Sequence, residues 1–215
     1  MTKDEKAILI AMVFGDGYIK LNNCSTKANT GTLTIIHCMK QRELIEYKAE
    51  KLLSILGGKS CNVCEFNNNG YPGTTISKTD RYFGILHKWI YKNKKKTFPK
   101  TLLKRLTPEA FAMWWMDDGC LSPKKRCGKI HAYQGFLNTY EDWETNMDIA
   151  DSFEEMFNVR PLIRKDKGWY RLEFNTTKLK VLLPILEPFS IPSMLYKFKM
   201  YEHERIALEI GDDIV

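Results

Sequence analysis

No stretch of this 215-residue chain is apolar for long enough to cross a bilayer. The longest such run, Ala7 to Phe14, falls far short of the roughly 20 residues that a spanning helix needs. The opening Met1-Thr-Lys-Asp-Glu-Lys6 has neither the apolar core of a secretion signal nor the Arg- and Ser-rich pattern of a transit peptide. A soluble intracellular protein is therefore expected, with its compartment open. A second close pair of Cys or His to match Cys61-x-x-Cys64 is also missing, and Cys120 and Cys127 stand too far apart to supply one. With Cys24 and Cys38, these cysteines read as free thiols rather than as a zinc site. Nor is the chain poor in apolar residues: 44% hydrophobic and 27% charged describe a globular protein with a real core, in one domain or two small ones. Acidic residues are outnumbered, and the net charge of +7 suits a polyanionic partner without requiring one.

Two segments organise what is present. Leu9-Ile-Ala-Met-Val-Phe-Gly-Asp-Gly17 and Phe111-Ala-Met-Trp-Trp-Met-Asp-Asp-Gly119 are apolar runs that each end in Asp-Gly. The first reads as a helix over residues 3 to 15, with Asp4 and Glu5 in its first turn. Ala7, Ala11 and Gly15 fall at helical spacing and make one face smooth. The second helix opens at Thr107 as N-cap, with Pro108 at its first position.

After each helix a similar order follows. In the first half, Gly31 to Cys38 reads as a strand and Gln41 to Leu56 as a helix closed by Gly57-Gly58. Ser60 to Phe66 and Thr74 to Ser77 read as strands around Asn67-Asn-Asn-Gly70, and Thr79 or Asp80 caps a helix to about Tyr91. In the second half, Lys129 to Leu137 reads as a strand, and Thr139-Tyr-Glu-Asp142 as a capping box for a helix to about Phe157. Arg160 to Lys165 and Trp169 to Asn175 form a hairpin, Thr176 or Thr177 caps a helix to about Leu186, and Tyr196 to Glu209 reads as a last helix. Residues 1–99 and 100–215 are thus expected to be two αββαββα halves of an α+β fold, related by a pseudo-twofold axis.

Flanking segments repeat as well. Ile76-Ser-Lys-Thr79 matches Phe174-Asn-Thr-Thr177, and Phe98-Pro-Lys-Thr-Leu-Leu-Lys104 matches Ile191-Pro-Ser-Met-Leu-Tyr-Lys197. If the two Asp-Gly helices lie side by side along the axis, Asp16 and Asp118 come together at the negative ends of two helix dipoles. A divalent cation held by oxygen ligands offsets that repulsion. On a basic protein with exposed sheets, such a centre points to phosphodiester hydrolysis.

The paired motifs resemble the signature of the LAGLIDADG homing endonucleases in their two-motif, single-chain form, and the chain is similar to the intron-encoded type of yeast mitochondria. Lys94-Lys-Lys-Thr-Phe-Pro99, Leu106-Thr-Pro108 and Ile191-Pro-Ser-Met-Leu-Tyr-Lys197 carry the resemblance beyond the motifs. The motif departs from the family at Phe14, where an acid is usual, and at Met113, where a small residue is.

The resemblance implies two antiparallel saddle-shaped sheets beside a central two-helix interface. It places Asp16 and Asp118 as metal-binding catalytic acids, with the carbonyls of Gly15 and Asp117 as further ligands of Mg²⁺ or Mn²⁺. It makes Lys96 and Lys197 the basic residues near the two scissile phosphates, although the internal repeat pairs Lys197 with Lys104 instead. The expected partner is double-stranded DNA with a long asymmetric target, cut on both strands by a monomer to leave 3′ overhangs. Thr32, Thr34 and Ile36 in the first half and Trp169, Arg171, Glu173 and Asn175 in the second are candidate DNA contacts, with Lys94 and Lys95 in the basic run. The alternatives are an RNA maturase that binds intron RNA, and a DNA-binding protein that has lost cleavage. Trp114 and Trp115 read as core packing.

Overall fold

The computed structural model describes residues 1–22 and 30–200, so Cys24 and the expected helical residues beyond Met200 lie outside the described residues. The chain divides into two compact units, Met1–Ala110 and Phe111–Val215.

The first unit begins with α1 (Lys3–Phe14). Thr2 and Glu5 form a reciprocal capping box, the Glu5 amide donating to Thr2 Oγ1 at 3.1 Å and the Thr2 amide to Glu5 Oε2 at 2.6 Å. Every residue from Ala7 to Phe14 is buried, so the helix has no polar face to show water, and packing rather than amphipathic patterning holds it in place. β1 (Tyr18–Leu21) follows, then β2 (Gly31–Cys38), α2 (Arg42–Leu56), β3 (Cys64–Asn68), β4 (Tyr71–Asp80) and α3 (Arg81–Ile90). The strands form an antiparallel sheet in the order β1-β2-β4-β3, and α2 and α3 pack against it. Alternation in β2 is strict: Gly31, Leu33, Ile35 and His37 are buried, while Thr32, Thr34, Ile36 and Cys38 look outward.

Asp80 caps α3. β4 is far longer than the expected Thr74–Ser77 because it pairs with β2 along its length, and β3 starts at Cys64, leaving Ser60–Val63 outside the sheet. Asn69 and Gly70 form the hairpin turn, both with positive φ. The short hairpin β5 (Tyr91–Lys92) and β6 (Lys95–Lys96) turns through Asn93 and Lys94, also at positive φ, before α4 (Lys100–Leu103). The basic run is thus in part a folded hairpin. Tyr91 ties it to β1, its hydroxyl accepting from the Ile19 amide at 3.1 Å.

The second unit repeats the order with α5 (Pro108–Asp118), whose residues from Phe111 onward belong to it, then β7 (Gly119–Arg126), β8 (Lys129–Glu141), α6 (Trp143–Phe157), β9 (Leu162–Asp166), β10 (Trp169–Asn175) and α7 (Thr176–Leu186). Its sheet order, β7-β8-β10-β9, is the same path through space, with α6 and α7 packed on it. Even the register repeats: Tyr18 pairs with Thr34 in the first sheet, and Cys120, one motif later, with Phe136 in the second.

Three local expectations change. The capping box at Thr139 is absent because β8 continues to Glu141; Asp142 caps α6 instead, accepting from the Thr145 amide at 2.8 Å. Asn175 rather than a threonine caps α7, and Thr176 Oγ1 bridges to Tyr133 of β8. Of the last expected helix only residues 196–200 are described: Tyr196 and Lys197 end a 3-10 stretch, Pro192–Lys197, started by a proline whose fixed φ suits a first turn, and the three residues after it are not helical.

Candidate active site

Both Asp-Gly ends make the same abrupt change from helix to strand. In the first unit the Gly15 amide closes on Ala11 O at 2.9 Å, and the Gly17 amide reaches back to Met12 O at 2.9 Å. A Cβ on Gly17 would lie 2.3 Å from that carbonyl, and one on Gly119 would lie 2.4 Å from Trp115 O. Glycine follows each acid because the strand must leave over the last helical turn. This leaves Asp16 exposed at the end of α1 and Asp118 half-buried at the end of α5.

A helix C-terminus offers carbonyls without intrahelical partners and the negative end of the dipole. In each unit a lysine meets them. Lys96 Nζ, from β6, donates to the carbonyls of Val13, Phe14 and Gly15 at 3.0, 3.2 and 2.6 Å. Lys197 Nζ donates to those of Met116 and Asp117 at 2.6 and 2.9 Å. Phe14 and Gly15 hold the same motif positions as Met116 and Asp117, so the two ammonium groups cap equivalent carbonyls. Lys104 is exposed just after α4.

The expected ligand carbonyls of Gly15 and Asp117 therefore already accept from an ammonium, although each retains a second lone pair. The Asp16 and Asp118 carboxylates supply the hard oxygen donors that a divalent cation takes. The donor set fits such an ion.

The surroundings of the two acids differ. Asp16 Oδ2 lies 3.4 Å from Nδ1 of His37, a buried residue at the end of β2 whose Nδ1 is also 3.0 Å from Gln41 Oε1. Asp118 Oδ2 accepts from Trp114 Nε1 at 2.9 Å, one turn back along its own helix, and its carbonyl accepts from Asn138 Nδ2 at 3.3 Å. Trp115 Nε1 donates to Lys197 O at 3.0 Å, fixing the backbone that carries the capping lysine. Both tryptophans are buried as expected, yet their indole N–H groups serve the site. Spacing reveals Trp114 and Asp118 as an i, i+4 pair; nothing local connects His37 to Asp16.

The two outward sheet faces carry the remaining candidates. Thr32 and Thr34 face outward but hydrogen-bond across strands, to Thr79 at 2.7 Å and Ser77 at 3.0 Å. In the second unit Trp169 and Asn175 are exposed, and the Arg171 guanidinium lies over the Phe136 ring at 4.0 Å while pairing with Asp166 at 3.0 Å. Glu173 is engaged by Arg164 at 3.1 Å. Lys94 and Lys95 are exposed in the β5–β6 hairpin.

A family model described as the LAGLIDADG DNA endonuclease family matches residues 6–182. The chain is 28% identical over 130 residues to the cytochrome b mRNA maturase bI2 of Saccharomyces cerevisiae, covering 57% of this chain and 29% of the relative. It is 27% identical over 160 residues to the protein of the same name in Debaryomyces hansenii, covering 70% and 58%. The chain thus spans well under two thirds of either maturase. A probable intron-encoded DNA endonuclease 3 of Mycosarcoma maydis is 29% identical over 104 residues, covering 48% and 72%. Among solved structures, the homing endonuclease I-WcaI bound to its DNA recognition sequence matches with a TM-score of 0.71 at 21% identity, covering 92% of this chain and 87% of that one. At that identity the likeness shows the fold.

Proposed function

The chain belongs to the LAGLIDADG DNA endonuclease family, and on that premise we propose that it is a site-specific endonuclease that hydrolyses both strands of a long, asymmetric DNA target. The observation that carries this reading is the doubled site: two helix ends of like geometry, each presenting a carboxylate, each with a lysine on the same carbonyls. A binding-only protein gains nothing from two such ends, whereas cutting a duplex needs one reactive centre for each strand.

Asp16 and Asp118 are the residues that would hold divalent metal, Mg²⁺ or Mn²⁺, which when bound supplies an activated water and stabilises charge on the phosphate. Lys96 and Lys197 keep the carboxylate-bearing turns in register and bring positive charge to where the attacked phosphate becomes more negative. Arg171, Trp169 and Asn175 on one face, and Thr32 and Thr34 on the other, present different chemistry to DNA, so the two half-sites differ. On this reading one chain carries both half-site readers, acts as a monomer, and leaves 3′ overhangs.

The test is a cleavage selection on a randomised duplex library with Mg²⁺, followed by linearisation of a plasmid carrying the selected site. Recovery of no cleavable sequence, from protein that is folded and binds DNA, would sink the endonuclease reading. The maturase reading is favoured by one observation, the names of two relatives. It predicts tight binding to folded intron RNA and faster splicing, measured with the same preparation.

A further inference from the structure

Lys48 is the most deeply buried cation among the described residues. It lies on α2 with 0% exposure, and its Nζ is 3.1 Å from Nε2 of His37. A buried ammonium carries a heavy desolvation cost and persists where its donors are used. This one stands against a ring whose opposite nitrogen faces Asp16.

Hydrogen-bond logic then fixes the ring. A lysine ammonium has donors only, so Nε2 of His37 must accept. The proton of the neutral imidazole is therefore on Nδ1, which points to Gln41 Oε1 at 3.0 Å and Asp16 Oδ2 at 3.4 Å. A carboxylate accepts only, so the Asp16 side independently demands the same tautomer.

We propose that Lys48 is a positioning residue: it fixes His37 as the Nδ1–H tautomer, and His37 in turn orients the Asp16 carboxylate for metal and DNA. The last step rests on the endonuclease reading; the tautomer does not. Among the described residues, the matching places of the second unit, Thr139 and Ala150, carry neither a histidine nor a cation. Thr139 stands in the place of His37 and donates to Asn146 Oδ1 at 2.7 Å, while α6 carries the buried Ile149 and Ala150 at the level of Lys48. On this proposal Lys48 acts through Asp16.

The experiment starts with long-range ¹H–¹⁵N correlation spectra of the full, metal-free chain labelled at histidine. His37 is identified by its loss in His37→Gln. The wild type should show the Nδ1–H pattern, and Lys48→Met should convert His37 largely to Nε2–H. Lys48→Gln, whose amide still donates, should retain Nδ1–H. Cleavage of the selected site should fall about tenfold in Lys48→Met, the range for groups that support a ligand from behind, and recover in Lys48→Gln, with DNA affinity unchanged in both. The loss should appear as nicked plasmid, because one acid is affected.

A wild-type His37 in the Nε2–H form overturns the proposal whatever the variants do. So does a Lys48→Met protein that keeps both tautomer and cutting rate, or one whose two strands slow equally. If Lys48→Met does not fold, the wild-type spectrum and Lys48→Gln still decide. The expected tautomer changes without any cleavage in the wild type would remove the endonuclease reading and leave the tautomer assignment standing.

Discussion

The two units solve one problem in different ways. Each must hold a carboxylate at a helix C-terminus, where the dipole and the bare carbonyls disfavour negative charge. Both place a lysine on those carbonyls. Beyond that they diverge. The first unit orients Asp16 from outside its helix, through His37 and the buried Lys48. The second orients Asp118 from within, through the Trp114 indole one turn earlier, where the first helix carries Met12. A duplicated fold thus keeps the acid and its lysine in common while the second support of each acid drifts. The shared parts are tied to backbone geometry and the differing parts to side-chain packing.

The largest effects should come from what is shared. On the endonuclease reading, Asp16→Asn and Asp118→Asn each remove a charge that a bound divalent cation would need, and should abolish double-strand cleavage while DNA binding survives. A gel-shift assay beside a plasmid assay checks both, and undiminished cutting by either variant would refute the assignment. Next come the lysines. Lys96→Met and Lys197→Met should each reduce the single-turnover cutting rate by about 10²-fold, the usual loss for a charge-stabilising donor. Lys197 is buried and Lys96 half-buried, so Lys197→Met should also lower the melting temperature further. Equal rates for Lys104→Met and wild type would complete the case for Lys96, which the internal repeat by itself does not select.

How far the sequence carries can be seen residue by residue. The helix and strand order of each unit is legible because its signals are local: the Asp-Gly ends of α1 and α5, the β-branched run of β2, and the Lys167-Gly168 turn between β9 and β10. Caps are less so. Thr139 satisfies a capping pattern yet lies inside β8, because pairing with β10 extends that strand to Glu141 and leaves Asp142 to start the helix. The lysines are legible only through their flanking blocks. His37 is hidden for a different reason. Its buried place in β2 makes it a core residue by pattern, and Lys48 falls on the apolar face of α2, where a cation looks like an error. Only the fold, which brings the end of β2 beside the end of α1, turns the two into part of a site.

Trp114→Phe sharpens the contrast at smaller scale. It keeps the ring in the core of the second unit but deletes the N–H that holds Asp118. Loss of a hydrogen bond to a carboxylate costs about 1.5–3 kcal/mol, so cutting should slow by about 10- to 100-fold, the deficit falling mainly on one strand. The nick should lie on the strand that Lys48→Met leaves uncut. If both variants spare the same strand, the two supports do not serve separate acids.

The smallest effect should be on recognition. Arg171 is held in place by Phe136 beneath it and Asp166 beside it, and about a third of its side chain, 32%, faces solvent. An arginine so placed presents a fixed donor to a base edge, and such contacts are worth about 1–3 kcal/mol of discrimination. The first sheet face has no like group among its candidates: Thr32 and Thr34 have cross-strand partners of their own. Arg171→Ala should therefore relax preference at one or two adjacent base pairs of a single half-site in a randomised-library selection. Thr34→Val should change the opposite half-site less, since its hydroxyl already bonds to Ser77. A loss of preference spread evenly over both half-sites would mean that Arg171 contributes only general attraction to phosphate, and that the two faces differ in composition without differing in what they read.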